Sequence, residues 1–221
     1  GYSVSLSADG ATLAVGAYDE GGSARQVNGP INGMRNGSGA VHVFTRTGGT
    51  WGHQAYLKVA QAEQGDSWGI SVALSNDGNT LATGSADEDC ATAGVNPAGC
   101  DADRATDSSI GAAAVFVRSG TTWTQQAYLK ASNPDIQDSF GSRLALSGDG
   151  ATLAVGAQNE DSAAQGINAR QDDNSALEAG AVYLFTRNDG AWAQQSYVKA
   201  SNNEAFDEFG GALALNRDGR M

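Results

Sequence analysis

The chain has 221 residues, 40% hydrophobic and 17% charged, and its 25 acidic against 13 basic side chains give a net charge of −12. This is enough apolar material for the core of one large or two small domains, which excludes a disordered chain. No run of 18 apolar residues exists to form a transmembrane helix, and a pI near 4.4 without a basic cluster leaves no electrostatic source for binding nucleic-acid phosphates.

From the N-terminus, SVSLSADGATLAVGA (3–17) places Asp9-Gly10 between two short alternating runs. Asp-Gly in that setting predicts a hairpin with positive φ at the turn. In the second run Leu13 and Val15 point one way and Ala14 and Gly16 the other, so both faces are expected to be buried. A polar loop (18–38) follows, then a second predicted hairpin, AVHVFTRTGGTWGHQAYLKVA (40–60). The pattern then begins again. Hairpins are predicted at 71–85 and 113–132 around the loop 86–110, and at 143–157 and 181–201 around the loop 158–179. The Asp-Gly pairs at 9, 77, 149 and 218 recur at spacings of 68, 72 and 69.

Four strands per unit, apolar on both faces and repeated about every 70 residues, are the mark of a propeller blade. The chain therefore reads as all-β, a β-propeller segment of three four-stranded antiparallel blades, residues 1–68, 69–140 and 141–209, with the first strand of a fourth at 210–221. A β-sandwich with duplicated hairpins is the alternative. Closed propellers use about four to eight blades, so this is an incomplete ring. Either the chain is part of a longer polypeptide, which its ends favour, or copies and partners cover the open blade edges.

The aromatic-Gly pairs Trp68-Gly69, Phe140-Gly141 and Phe209-Gly210, followed by Thr83-Gly84-Ser85 or Val155-Gly156-Ala157, resemble FG-GAP repeats. These repeats build the propeller of integrin α chains and of bacterial surface proteins. The resemblance implies an extracellular, cell-surface or periplasmic protein that binds other proteins. In the integrin type the first turn of a blade often carries a calcium loop. Here it has shrunk to one carboxylate, whereas calcium takes six to eight oxygens. Asp9, Asp77, Asp149 and Asp218 are accordingly read as turn residues.

In a meander blade the long loops and the inter-blade connections emerge at one end. The loops 18–38, 86–110 and 158–179 sum to charges of 0, −5 and −4, and the connections 61–68, 133–140 and 202–209 to −2, −2 and −3, a total of −16. The remainder is +4, assigned to Arg46, Arg118, Arg187, Lys58, Lys130 and Lys199 among others. On the acidic end Glu88, Asp89, Asp101 and Asp103, and Glu160, Asp161, Asp172 and Asp173, are candidate Ca²⁺ ligands, since hard cations take carboxylate oxygens. The regular placing of Glu20, Glu88 and Glu160, and of Val27-Asn28, Val95-Asn96 and Ile167-Asn168, favours a structural role. There Asn satisfies loop backbone and the apolar residue plugs the loop onto the blade.

Cys90 and Cys100 lie in one polar segment without further Cys or His to complete a zinc site, which points to a short-loop disulfide. Asp66, Asp138 and Asp207 recur three residues before the blade-opening Gly, where a carboxylate accepts backbone N–H groups or lines the channel mouth. His42 and His53 do not recur and read as ordinary strand residues. Twelve of the 16 aromatics sit at repeat positions; Tyr2, Tyr18, Tyr183 and Phe206 are too scattered for a carbohydrate-stacking platform. Nucleotide-binding glycine loops and HExxH are missing from the sequence. The expected function is that of a non-enzymatic extracellular or envelope segment for protein interaction or self-association. The alternatives are a carbohydrate-binding or carbohydrate-active propeller, and a structural subunit of an assembly or filament.

Overall fold

The computed structural model describes residues 1–100 and 108–219. Asp101 and Asp103 lie outside the described residues. Twelve strands form three four-stranded antiparallel sheets, each a meander in chain order. The first sheet holds β1 (Ser3–Leu6), β2 (Thr12–Ala17), β3 (Ala40–Thr47) and β4 (Thr50–Leu57). The second holds β5 (Ser71–Leu74), β6 (Thr80–Ser85), β7 (Ala112–Ser119) and β8 (Thr122–Leu129), and the third β9 (Arg143–Leu146), β10 (Thr152–Ala157), β11 (Ala181–Asn188) and β12 (Ala191–Val198).

The Asp-Gly turns form by local side-chain chemistry. Asp9 Oδ1 accepts the Ser7 hydroxyl at 2.6 Å and the Ala11 N–H at 2.9 Å, and the Ser7 hydroxyl oxygen in turn accepts the Thr12 N–H. The same network recurs around Asp77 and Asp149. Those donors hold the Asp9 carboxyl below its usual range, as expected for an ionised turn residue. Only Gly10 of the pair takes a positive φ, 66°; the loop is wider than a two-residue turn because Ser7 and Thr12 close it. At the other hairpin of the first and third sheets both central residues turn left-handed, Gly48 with Gly49 and Asp189 with Gly190, the conformation that matches strand twist.

The sheets pack face to face in chain order, in a propeller-like arrangement. One core joins Ala14, Val43, Ala55 and Leu57 to Leu81, Ala114, Phe116 and Tyr128; a second joins Val115, Ala127 and Leu129 to Leu153, Tyr183, Phe185 and Tyr197. β1, β5 and β9 run along the inside, stitched by Leu74 N–H to Ser5 Oγ and, at their turns, by Ala8 N–H to Asn76 O and Asn76 N–H to Gly148 O. The aromatic-Gly pairs belong to this stitching. Gly141 has φ 94°, and a Cβ there would collide with the Ala112 carbonyl, so only glycine lets the connection cross so closely. Phe140, meanwhile, is fully buried in the second core.

Two expectations need correction. β6, with a sheet on each side, is buried throughout, but in β2 Leu13 and Val15 are only half-buried, because among the described residues no sheet packs on that face of the first sheet. The predicted fourth-blade strand does not form: residues 211–215 carry no strand, since a first strand needs the second strand of its own unit to receive its backbone hydrogen bonds. The segment instead docks on the third sheet through Asp149 N–H to Arg217 O, with Leu213 and Leu215 against Ala145, Ala154 and Val182.

Candidate functional site

The long loops and the inter-blade connections do share one end. Ser67 N–H donates to Gly37 O, Phe140 N–H to Ile110 O and Phe209 N–H to Ala179 O, so each loop returns alongside the connection that leaves its own sheet. The Asn residues clamp the loops to the last strand. Asn96 N–H donates to Tyr128 O while its Oδ1 accepts Tyr128 N–H, both at 2.8 Å, and Asn28 and Asn168 do the same on Tyr56 and Tyr197. The clamp covers the outer strand, whose free edge would invite pairing. The apolar plug holds for Val27 and Val95, which pack on the two cores, but Ile167 is 66% exposed.

Sequence reasoning missed what the recurring glutamates do. Lys58, Lys130 and Lys199 do not belong to a basic end: each follows the last strand and turns its ammonium into the loop. Lys199 Nζ lies 2.6 Å from Glu160 Oε2 and Lys58 Nζ 3.2 Å from Glu20 Oε2, while Lys130 pairs with Glu88. The three lysines are almost fully buried. Lys130 also donates to Gly111 O, and Lys58 to Gly39 O at 2.6 Å and Ser38 Oγ at 2.5 Å. The glutamates further accept loop amides, Gly22 N–H on Glu20, Cys90 N–H on Glu88 and Ser162 N–H on Glu160, and Tyr56 and Tyr197 hydroxyls donate to Glu20 and Glu160. Burial draws the Lys58 and Lys130 ammonium groups below their ordinary range against the pull of Glu20 and Glu88. For Glu20, burial pushes upward, yet the Tyr56 and Lys58 partners outweigh it and its carboxyl sits low. A shared spacing of 38 to 42 residues, Glu20 to Lys58 and Glu88 to Lys130, was the available signal.

The other recurring acids do accept backbone. Asp66 Oδ2 receives Glu63 N–H at 2.7 Å and Trp68 Nε1–H at 3.1 Å, Asp138 receives Asp135 N–H, and Asp207 receives Glu204 N–H. Asp66 and Asp138 are buried, and that burial pushes their carboxyls up to about 7 and about 8, with few donors and the nearby Glu88 and Glu160 charges to offset or add.

The carboxylates nominated for Ca²⁺ are placed as follows. Glu88 and Glu160 hold the lysines; Asp89 Oδ1 accepts Ser108 and Ser109 N–H; Asp161 Oδ1 accepts Glu178 N–H; Asp172 pairs with Arg170 at 3.0 Å at the surface; and Asp173 accepts Ala163 N–H through its backbone. Among the described residues no three His, Cys, Asp or Glu converge, as the six to eight oxygens of a Ca²⁺ site would require. Cys90 and Cys100 form a disulfide across a separation of 10 residues, both buried. Reducing it is expected to lower stability by about 2–3 kcal/mol, the chain-entropy value for so short a loop, measurable by urea unfolding with and without dithiothreitol.

The open face of the first sheet is the other candidate site. Val4 and Leu6, paired with Val15 and Leu13, are 69% and 55% exposed, whereas the matching Leu74 and Leu146 are buried. At the outer rim each covered interface repeats one polar set. Arg118 lies over the Trp123 ring at 5.3 Å and donates to Thr12 Oγ1 and Gln54 Oε1 of the preceding sheet, and Trp123 Nε1–H shares that Gln oxygen. Arg187 and Trp192 do the same with Thr80 and Gln126. On the first sheet Arg46 faces Trp51 across the register, with Trp51 42% exposed. On this face too, His42 on β3 and His53 on β4 meet, Nδ1 to Nε2, at 3.2 Å. Burial and the His53 charge lower the His42 pKa. Of the scattered aromatics, Tyr2 and Tyr18 meet edge to face at 5.0 Å, while Tyr183 is buried and donates to Asn133.

With three like sheets and their aromatic-Gly crossings in view, the chain is similar to a known family over part of its length. Residues 123–185 match the FG-GAP repeat model. That stretch runs from β8 through β11, across one inter-blade connection and one long loop. No curated protein matches the chain. Among solved structures, the crystal structure of Saccharomyces cerevisiae Sqt1 is similar at a TM-score of 0.47 and 11% identity, over 92% of this chain and 36% of that one. The chain thus spans little more than a third of that structure's length. No described helix is long and apolar enough to cross a membrane.

Proposed function

We propose that the chain is a non-enzymatic interaction scaffold of the FG-GAP, integrin α-like propeller type, working outside the cytoplasm, and that it binds through the open face of its first sheet. The single observation behind this reading is the Arg-Trp donor set at the rim of that face, beside exposed Val4 and Leu6. The two covered interfaces meet the same donors with a Thr and a Gln. The matching partner is a sheet offering that Thr-Gln pair. Thr152 and Gln195 of the third sheet stand at those repeat positions, so a second copy of this chain fits once its 211–217 segment, docked on the same face, is displaced. The disulfide agrees with an oxidising compartment.

Sedimentation velocity tests the reading. The chain is expected to associate as concentration rises, and Leu6→Asp, which puts a charge in the middle of the apolar face, to abolish that association. Arg46→Gln should weaken it less. A species that stays monomeric, or an association indifferent to Leu6→Asp, would count against this surface.

A further inference from the structure

The first sheet differs from its two sisters in one chemically active pair. Each sheet has a bulge in its fourth strand, where Gln54, Gln126 or Gln195 is the extra residue opposite the step from Val43 to Phe44, Val115 to Phe116 or Leu184 to Phe185. The bulge shifts the register by one, so Phe44 pairs with His53 and not with Gln54. It thereby brings residue 53 onto the same face as His42, which pairs with Tyr56. In the sister sheets Gln125 and Gln194 occupy this position and bond to the preceding sheet's connection, at Ala60 and Gln61 or at Ser132. In the first sheet the residue at this position is a histidine, exposed among the described residues.

We propose that His42 and His53 form a two-imidazole chelate for a late first-row divalent metal ion such as Zn²⁺. Imidazole nitrogen suits this class, whereas Ca²⁺ takes oxygen. The geometry fits: an ion about 2.0–2.1 Å from each of two nitrogens 3.2 Å apart subtends an angle of about 100–105°, close to tetrahedral. In the metal-free pair one ring donates its N–H to the other. On binding, the ion takes the lone pairs of His42 Nδ1 and His53 Nε2, and the shared proton moves to the outer nitrogen of the ring that held it. Both rings are positioned by packing. His42 lies 5.2 Å from the Tyr56 ring and His53 5.3 Å from the Phe44 ring, and Tyr56 is itself anchored by its hydroxyl on Glu20 at 2.6 Å. Water completes the coordination on the exposed side of His53.

The sister sheets supply the controls. His53→Gln installs the residue found at 125 and 194, and His42→Ala the residue found at 114, so both variants are compatible with the fold. Calorimetric titration of the untagged chain with Zn²⁺ is expected to give one site per chain. Each single variant should weaken it by at least about tenfold, since even lost outer-shell partners cost that much. The imidazole proton resonances of both histidines should shift in step with the heat. No Zn²⁺ heat in the wild-type chain, binding unchanged in His53→Gln, or binding that depends on only one of the two histidines would each overturn the chelate.

Discussion

Glu160→Ala is expected to lower the stability of the chain by about 3–5 kcal/mol, the range found when one partner of a buried ion pair is removed. The reason is the ammonium left behind. Lys199 Nζ is buried with Glu160 Oε2 at 2.6 Å, and the glutamate itself is 1% exposed. The same carboxylate accepts the Tyr197 hydroxyl, Asn133 Nδ2–H and the Ser162 N–H, so its loss also orphans donors that anchor the 158–179 loop. Glu20→Ala in the first sheet should cost less, because the Glu20 side chain reaches solvent and water can replace it. The double variant Glu160→Leu, Lys199→Met should recover much of the loss, since replacing a whole buried pair by apolar side chains is often near neutral. Urea unfolding at neutral pH measures all three. A loss below about 1 kcal/mol for Glu160→Ala would mean that the pair is hydrated and does not hold the loop.

The second large effect is a dependence on pH. Burial lifts the Asp66 and Asp138 carboxyls to about 7 and about 8 in the folded chain, against an ordinary value of 3.8. Below 3.8 both folded and unfolded chains hold these protons, and their contribution to stability is fully present. Above it the unfolded chain releases protons that the folded chain retains, so stability falls as pH rises. The limiting slope is about 1.4 kcal/mol per pH unit per group, ending once pH passes about 7 for Asp66 and about 8 for Asp138. A loss of a few kcal/mol between mildly acidic and mildly alkaline solution is therefore expected. Asp138→Asn keeps an oxygen for the Asp135 N–H while removing the charge, and should flatten the slope and raise stability at alkaline pH. Asp77 and Asp149, exposed turn residues whose carboxyls hydrogen bonds hold low, act in the opposite sense and lose their contribution only as pH falls toward their lowered values. Unfolding midpoints across pH for wild type and for Asp66→Asn, Asp138→Asn test this; an unchanged slope in the double variant would reject it.

Much of the architecture was legible because it is local and repeated. The Asp-Gly turns, the alternation in Leu13, Ala14, Val15 and Gly16, and the recurrence of the aromatic-Gly pairs predict hairpins, their period and their stacking from short-range chemistry. The short disulfide was legible for the same reason, its two cysteines being ten residues apart. The site was less so. The lysines were assigned to the wrong end because net charge by segment does not say where a long side chain points, and a four-carbon stem carries the ammonium back past the end of its strand. That 211–215 carry no strand is a matter of which backbone lies beside them, a condition that no property of Leu213 or Leu215 records.

The one-dimensional pattern by itself determined that the chain is all-β, that it repeats, which residues make its turns and which end carries the excess of acid. The turns and strands rest on neighbours within about a dozen residues, where backbone geometry and side-chain spacing leave few choices, and the repeat and the acidic end on the recurrence of those local patterns along the chain. Only the tertiary structure decided which acids are neutralised in the interior, which sheet face lacks a cover, and that His42 and His53 touch. Those depend on packing between sheets and on a one-residue bulge, and a shift of one residue in a strand exchanges its two faces.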